Sequence, residues 1–571
     1  MRIEHLDDLP ILGNRIDKVD LVKLIDTHFP DHGHWKGISG GKVTMGWLLY
    51  ILSEGDHRLS HVEDWAALRL QILSAILEEP DLRNLDFCDD RLGRLLDRFS
   101  DDERWKNFEQ AIGKKVLQVY QIEHQDHKPN IIRSDSFNAP QYRESGELYR
   151  FGYSKQRRSD QPFCKVMMAA IDPLAVPLAV DVVKGSGPDV DHYLPLINKL
   201  QLIMERGGNL YVADSQLGSM PNRTAIHLAG DYYLCPLSKK QVSMDQLSDY
   251  LDEIKIGFDQ LPNLFTEPES KRKPAYFHQL VARVKDEKTG TEWMERRILV
   301  YSPDYAKGLM KSFNGRLNEA QEKIQNLVIF KRGRRNPKTL KDLHARIGTI
   351  IKQYKVEDCF EIQCHQTIET RNVQRHKNRP EQIREKIILT LTIKRNEAVI
   401  QLKQKKLGWQ LYGTNVPQEI LETAELVKTY RDEYRIEHLF DYMINRDVGL
   451  LPIYLKKEER VKGLIRLLSL AMKFSMLIQH DVRSTLKQTK QILKRIYPGN
   501  KSRATKSPTT TLLLRAFKGI SVAWFDNGEK KIIQMTPLNE VQKQILQLLK
   551  IPDAYQHPLK LLETEQNLRE T

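Results

Sequence analysis

Between residues 131 and 237 short apolar, β-branched runs alternate with amphipathic stretches in an order that few folds accept. IIRSDSF (131–137), FCKVMMAAID (163–172) and PLAVDVVKG (177–185) are bounded by Pro and Gly and read as strands. HYLPLINKLQLIMERG (192–207) has helical apolar spacing. NLYVADS (209–215) reads as a buried strand, a short helix is expected near 218–229, and YYLCPL (232–237) is the last strand. The sequence thus predicts β-β-β-α-β-α-β. Asp135 is expected to end the first strand, in a run where nothing needs a charge, and Asp214 ends the fourth, YVAD. Strand ends in an open α/β sheet face the ligand crevice, so two such aspartates on adjacent strands could share divalent cations. Phosphodiester chemistry uses two hard cations about 3.5–4 Å apart, bridged by carboxylates. A third carboxylate is expected from a helix at 417–445, which offers Glu433 and Glu437. Each aspartate alone also has an ordinary reading as a cap or a solvated loop residue.

At 571 residues the chain is too long for one core. Residues 1–130 read as helical, in VTMGWLLYILSE (43–54), HVEDWAALRLQILSAIL (61–77), DDRLGRLLDRFS (89–100) and DDERWKNFEQAIGKKVLQVY (101–120). From about 255 to 415 the texture is β-rich and basic. Strands are expected there in AYFHQLVARV, EWMERRILVYS, CFEIQCHQTI, EKIILTLTIKR, AVIQLKQKK and GWQLYGTN. One helix is expected at 306–328, with basic loops at 331–338 and 371–386. After the helix at 417–445, another is expected at 457–480, a linker at 499–511, a strand at 520–525 and a helix near 537–550.

Lys and Arg number 89 against 75 Asp and Glu, a formal net charge of +14, which points to a polyanion partner. No run of 18 apolar residues occurs; LIRLLSLAMKFSMLI (464–478) is too short for a membrane span and carries Arg466 and Lys473. MRIEHLDDLP has no apolar signal core, and the five cysteines are scattered. Reduced thiols in a cytoplasm, with no zinc site and no membrane partner, are therefore expected.

The strand and helix order resembles the ribonuclease-H-like layout, and YRDEYRIEHLFDYMI (430–444) resembles the signature helix of insertion-sequence transposases of the IS-four superfamily. That signature is Tyr-x-x-Arg-x-x-x-Glu-x-x-x-x-x-x-Lys, and Tyr430 and Glu437 stand at its spacing. LSHVEDWAAL, LDFCDDRLGRLLD, LPIYLKKEERVKGLIRLLSLAM (451–472) and LLRAFKGISV (513–522) resemble the branch with a helical N-terminal domain. The resemblance implies an α/β protein whose ribonuclease-H-like catalytic domain is interrupted by a β-rich insertion, with an N-terminal helical domain and a C-terminal extension. It divides the chain into 1–125, a possible end-DNA reader; 130–254 and 416–482, the two parts of the catalytic core; 255–415, the insertion; and 483–571, the extension. It places the catalytic, metal-holding carboxylates on Asp135, Asp214 and Glu437. It further implies Mg²⁺ with Mn²⁺ as a substitute, strand cleavage and strand transfer, double-stranded DNA at transposon ends and at the target, a homodimer in the synaptic complex, and a bacterial cytoplasm.

Two motif positions depart: Glu433 replaces the signature Arg and Ile444 the signature Lys. The family's basic residues there hold a phosphate of the transposon end, so Arg431, Arg435 or Arg446 are the expected substitutes, beside Tyr430. The departures make an inactive DNA-binding relic, or a nuclease that only hydrolyses, the alternatives. Trp409, 21 residues before Tyr430, stands where some family members stack a Trp on a flipped base; its ordinary reading is a buried strand residue. Lys403, Lys405 and Lys406 beside it favour a DNA-facing surface, as do Arg334 and Arg335 in KRGRRNPK. KGSGPD (184–189) reads as a strand-to-helix turn with an Asp cap, and His124 and His127 lack a third ligand for a metal.

Overall fold

The computed structural model describes residues 2–122, 128–141, 144–152, 160–254, 260–264, 275–329, 336–373, 382–445, 448–500, 502–526 and 531–568. The chain forms two compact units: Met1–Cys235 with Arg283–Glu295 and Gly413–Thr571, and Pro236–Ala282 with Arg296–Tyr412. The first opens with a strand, β1 (Arg2–His5), which the helical reading of 1–130 leaves out. Helices follow: α1 (Leu9–Asp17), α2 (Leu21–His28), α3 (Gly40–Glu54), α4 (Val62–Ala67), α5 (Leu70–Leu77), α6 (Asp89–Phe99) and α7 (Asp102–Tyr120). The single helix expected at 61–77 is broken. Arg69 leaves helical backbone (φ −138°, ψ 24°) and turns its guanidinium toward Asp7 and Glu54, 3.7 and 3.6 Å away.

The expected β-β-β-α-β-α-β series forms in full: β2 (Ile131–Pro140), β3 (Phe163–Ile171), β4 (Val176–Lys184), α8 (Val190–Met204), β5 (Leu210–Ala213), α9 (Met220–Leu228) and β6 (Tyr232–Pro236). The strands lie in the order β4-β3-β2-β5-β6. The first three pair antiparallel, whereas β2–β5 and β5–β6 pair parallel, so the sheet is mixed. β3 is buried at every residue, which explains why FCKVMMAAI runs apolar without alternation.

The second unit contains α10 (Met244–Asp252), most of β7 (Tyr276–Lys285) and part of β8 (Glu292–Tyr301), then α11 (Pro303–Gln325), α12 (Leu340–Tyr354), β9 (Phe360–Val373), β10 (Gln382–Arg395), α13 (Glu397–Lys405) and the start of β11 (Trp409–Thr414). Two expectations fail here. AVIQLKQKK is not a strand but α13: the Asn396 side chain accepts from Val399 N (3.2 Å) and starts a helix, and Ile400 drops into a core with Phe313, Leu317 and Val356. A second helix, α12, also interrupts the strands; Thr339 caps it through Asp342 N (3.2 Å), and Leu343 and Ile347 pack on Ile324 and Leu327. Of the loop expected at 371–386, residues 371–373 belong to β9 and 382–386 to β10, and 374–381 lie outside the described residues.

The helix expected at 417–445 is two helices, α14 (Thr423–Arg431) and α15 (Tyr434–Asn445). Asp432 ends the first at ψ 12°, and its carboxylate bonds Arg435 (2.8 Å) instead of leaving the backbone to propagate. α16 (Glu458–Gln488) is buried along most of its length, including Arg466 and Lys473, and so reads apolar on all sides. Arg466 donates to the Phe99 carbonyl (2.7 Å) and to Asp102 (2.5 Å), while its buried Nε makes no hydrogen bond to the described residues. Among the described residues no helix is long and apolar enough to cross a membrane. The segment 499–511 is not a linker: β12 (Leu493–Lys494) pairs with β13 (Ala504–Thr505), and α17 (Thr510–Arg515) follows, capped by Thr509. The chain closes with β14 (Ser521–Asp526), β15 (Lys531–Met535), α18 (Glu540–Leu548) and α19 (Gln556–Leu568). β14 pairs antiparallel with both β15 and β1.

Candidate active site

Asp135 lies inside β2, not at its end, because the ladder with β3 continues to Pro140↔Phe163. On its other side β2 pairs parallel with β5 up to Ser134↔Ala213, where β5 stops. Asp135 and Asp214 are the next residues in that register, on neighbouring chains spaced by about 4.8 Å. Asp214 Oδ1 accepts from Gln216 N and from the Tyr193 hydroxyl, both at 2.9 Å. Ser136 N donates to Asp135 Oδ1 (2.6 Å).

Tyr193 escaped the sequence reading. It sits in the first turn of α8, wholly buried, and its hydroxyl is pushed well above the usual range by burial, then by Asp214 and Asp135. The available signal was a hydroxyl-bearing ring among Leu194, Leu196 and Ile197 on a helix entering the crevice. Asp189 makes no side-chain cap bond to α8, contrary to expectation. Its carboxylate instead takes the Lys165 ammonium (2.6 Å) and the Ser136 hydroxyl (2.8 Å), tying the residue beside Asp135 to β3.

Residues two apart on a strand share a face, so Phe137 points with Asp135. The Phe137 ring packs on Phe440 of α15 at 4.9 Å between centroids. Glu437 precedes Phe440 by three residues, on the same side of the helix, and is exposed in its first turn. Glu433 sits at the break between α14 and α15, half-buried. Burial raises its carboxyl to about 7; the hydrogen bond with Tyr430 opposes this, and Asp135, Glu437 and Asp214 push it up further. Glu433 therefore feels three other carboxylates at this end of the sheet. Their repulsion is what a cation would relieve, and carboxylate oxygens are the hard donors that magnesium-like ions take. As arranged here, and among the described residues, no three His, Cys, Asp or Glu side chains converge closely enough to hold one ion together.

The remaining candidates are dispersed. Tyr430 is buried on α14, and Arg431 is the last residue of that helix. Arg435 bonds the Pro173 carbonyl and Asp432. In the second unit Trp409 is 8% exposed, its ring 5.1 Å from that of Tyr301 in a core with Val242, Leu251, Leu261, Leu299 and Leu411. It is a packed strand residue in this arrangement and presents no face for stacking a base. Lys405 pairs with Asp252 (2.7 Å), and Lys406 is the C-cap of α13. Arg334, Arg335, Arg446, His124 and His127 lie outside the described residues. All five cysteines are free.

Asp135 within β2 and Asp214 just past β5 stand beside each other in a strongly basic chain, a combination suited to an enzyme that acts on a polyanion. The family described as "Transposase DDE domain" matches residues 126–473, more than half of the chain, and the chain belongs to that family of DNA transposases. A second family, described as "Domain of unknown function (DUF4277)", matches residues 1–112. No curated protein was found to match. Among solved structures the chain is similar to one titled "Cryo-EM structure of piggyBac transposase synaptic complex with hairpin DNA (SNHP)". The identity is 10%, the coverage 83% of this chain and 76% of that chain, and the TM-score 0.33.

Proposed function

We propose that Asp135, Asp214 and Glu437 are the catalytic carboxylates of this transposase and hold its divalent cations, magnesium with manganese as a substitute. The observation that carries the reading is the β2–β5 register: it sets the two aspartates side by side, on a strand face that α15 covers with Phe440 one turn from Glu437. Bound there, the ions would supply activation of the attacking water or 3′-hydroxyl and charge relief at the leaving oxygen. The protein's own part is orientation. Tyr193 fixes one Asp214 oxygen, and the Lys165–Asp189–Ser136 chain holds the strand beside Asp135. Cleavage followed by attack of the freed 3′-hydroxyl requires no covalent bond between protein and DNA.

The substrates under this reading are duplex transposon ends and target DNA, brought together by a homodimer in the cytoplasm. Residues 1–125 read the end sequence, and Tyr430, Arg431, Lys405, Lys406, Arg334 and Arg335 contact the backbone. Arg435 serves by holding the α14–α15 junction. The 130–254 and 416–482 segments act as a ribonuclease-H-like core, with 255–415 as its insertion and 483–571 as an extension.

A second reading has a specific observation behind it: Glu433 is half-buried and feels Asp135 and Asp214, whereas Glu437 is exposed. The pair Glu433→Gln and Glu437→Gln separates the two in a magnesium-dependent cleavage assay. The expected outcome is an inactive Glu437→Gln and an active Glu433→Gln; the reverse moves the third carboxylate to Glu433. Asp135→Ala and Asp214→Ala should abolish cleavage while duplex binding persists, since affinity comes from cations and chemistry from the acids. Full cleavage by either variant removes that residue from the site.

A further inference from the structure

Strands β9 and β10 pair without interruption from Phe360↔Arg395 to Val373↔Gln382. At the base, one face of this ribbon is covered: Ile362, Cys364, Leu389, Leu391 and Ile393 pack on Ile324, Leu327, Leu343 and Ile347 of the α11–α12 layer. The same face continues outward through Gln366↔Leu389 to Ile368↔Ile387. There the helices have stopped: Ile368 is 52% exposed and Ile387 44%. Residues 366–370 and 385–387 are all exposed. From Gln366 to Val373 the ribbon therefore runs roughly 25 Å past its support, at about 3.4 Å per residue.

Two features say what it meets. A two-stranded hairpin alone is marginally stable in water, so an overhang with an apolar cross-strand pair is completed by another surface. The distal segment 371–386 carries six cations (Arg371, Arg375, Lys377, Arg379, Arg384, Lys386) against two carboxylates (Glu381, Glu385). That charge opposes pairing with the same arm of a second copy and favours a polyanion. The major groove of B-form DNA admits a two-stranded β-ribbon.

We propose that the β9–β10 ribbon is an arm that lies in a groove of duplex DNA, its basic end on the phosphates and the Ile368–Ile387 pair against base edges. The inference rests on the reading of this chain as a DNA-binding transposase and assigns the grip to one element.

The test uses the full chain, a fluorescein-labelled random-sequence duplex, and anisotropy titrations across a salt series. One variant replaces residues 369–386 by Asn-Gly, a two-residue turn that closes Ile368 onto Ile387 and leaves the packed base intact. The other keeps the arm and changes its six cations to Gln. Both should bind about tenfold or more weakly, with the slope of log affinity against log salt shallower by about 2–4, since each neutralised phosphate contributes ~0.9. Parental affinity and slope in both variants, from a parent that binds, would overturn the arm while leaving DNA binding in place. So would a truncation that lowers the oligomeric mass in solution without changing affinity, because the arm would then serve a second copy. A parent that binds no duplex overturns the DNA reading and the arm with it.

Discussion

Glu433 stands where the signature that this segment resembles has an arginine, and its surroundings define how it behaves. A carboxyl raised to about 7 by burial and by three acidic neighbours is protonated under conditions where an ordinary glutamate is charged. The folded-state value lies above the unfolded one of 4.5, so its stabilising contribution is complete below that pH and is lost as pH rises through about 7. In metal-free protein, thermal melts should show the parent losing stability between pH 4.5 and 7 relative to Glu433→Gln, by on the order of 2 kcal/mol after solvent screening. Parallel curves for the two proteins would mean that Glu433 is solvated. Tyr193 acts at the same scale but through Asp214. Tyr193→Phe should lower manganese affinity and cleavage together, by about 10–100-fold, the usual cost of losing a group that orients a metal ligand. A loss of melting temperature with unchanged manganese titration would make it a packing residue only.

At the level of elements, what was legible depended on whether one rule governed a segment. The 131–237 series was legible because strand and helix periods alternate there, with Gly and Pro at the joints. The pairing of Asp135 with Asp214 is half legible: each stands out as a charge on an apolar strand, but only the parallel register makes them neighbours. Segments shaped by a side chain serving elsewhere do not follow from periodicity. Arg69 breaks a helix to reach two acids, Asp432 breaks another to hold Arg435, and Asn396 turns a β-looking run into α13. Trp409 had two readings that periodicity could not separate, and burial decides the resting arrangement. Trp409→Ala should cost about 3–5 kcal/mol of stability, as for other buried large-to-small changes. Wild-type melting, joined to a defect only in a strand-opening step, would instead show that the ring leaves its core to act.

For the whole molecule, β1 has a consequence for how the protein comes into being. Its only ladder among the described strands is with β14, whose first residue is 519 positions later than the first of β1. At roughly 5–20 residues per second of synthesis, the first strand waits about half a minute to two minutes for its partner. Removing the chain from Ser521 onward should therefore leave the N-terminal helices unable to close. Proteolysis should cut the truncated protein near residues 2–8, where the full chain resists. Equal protection in both would show that the N-terminal segment folds by itself. A nascent chain therefore carries β1 without its ladder until residues 521–524 have been made. The β1–β14 ladder thus ties one of the earliest segments made to one of the latest, so this part of the fold is completed after the sheet between them.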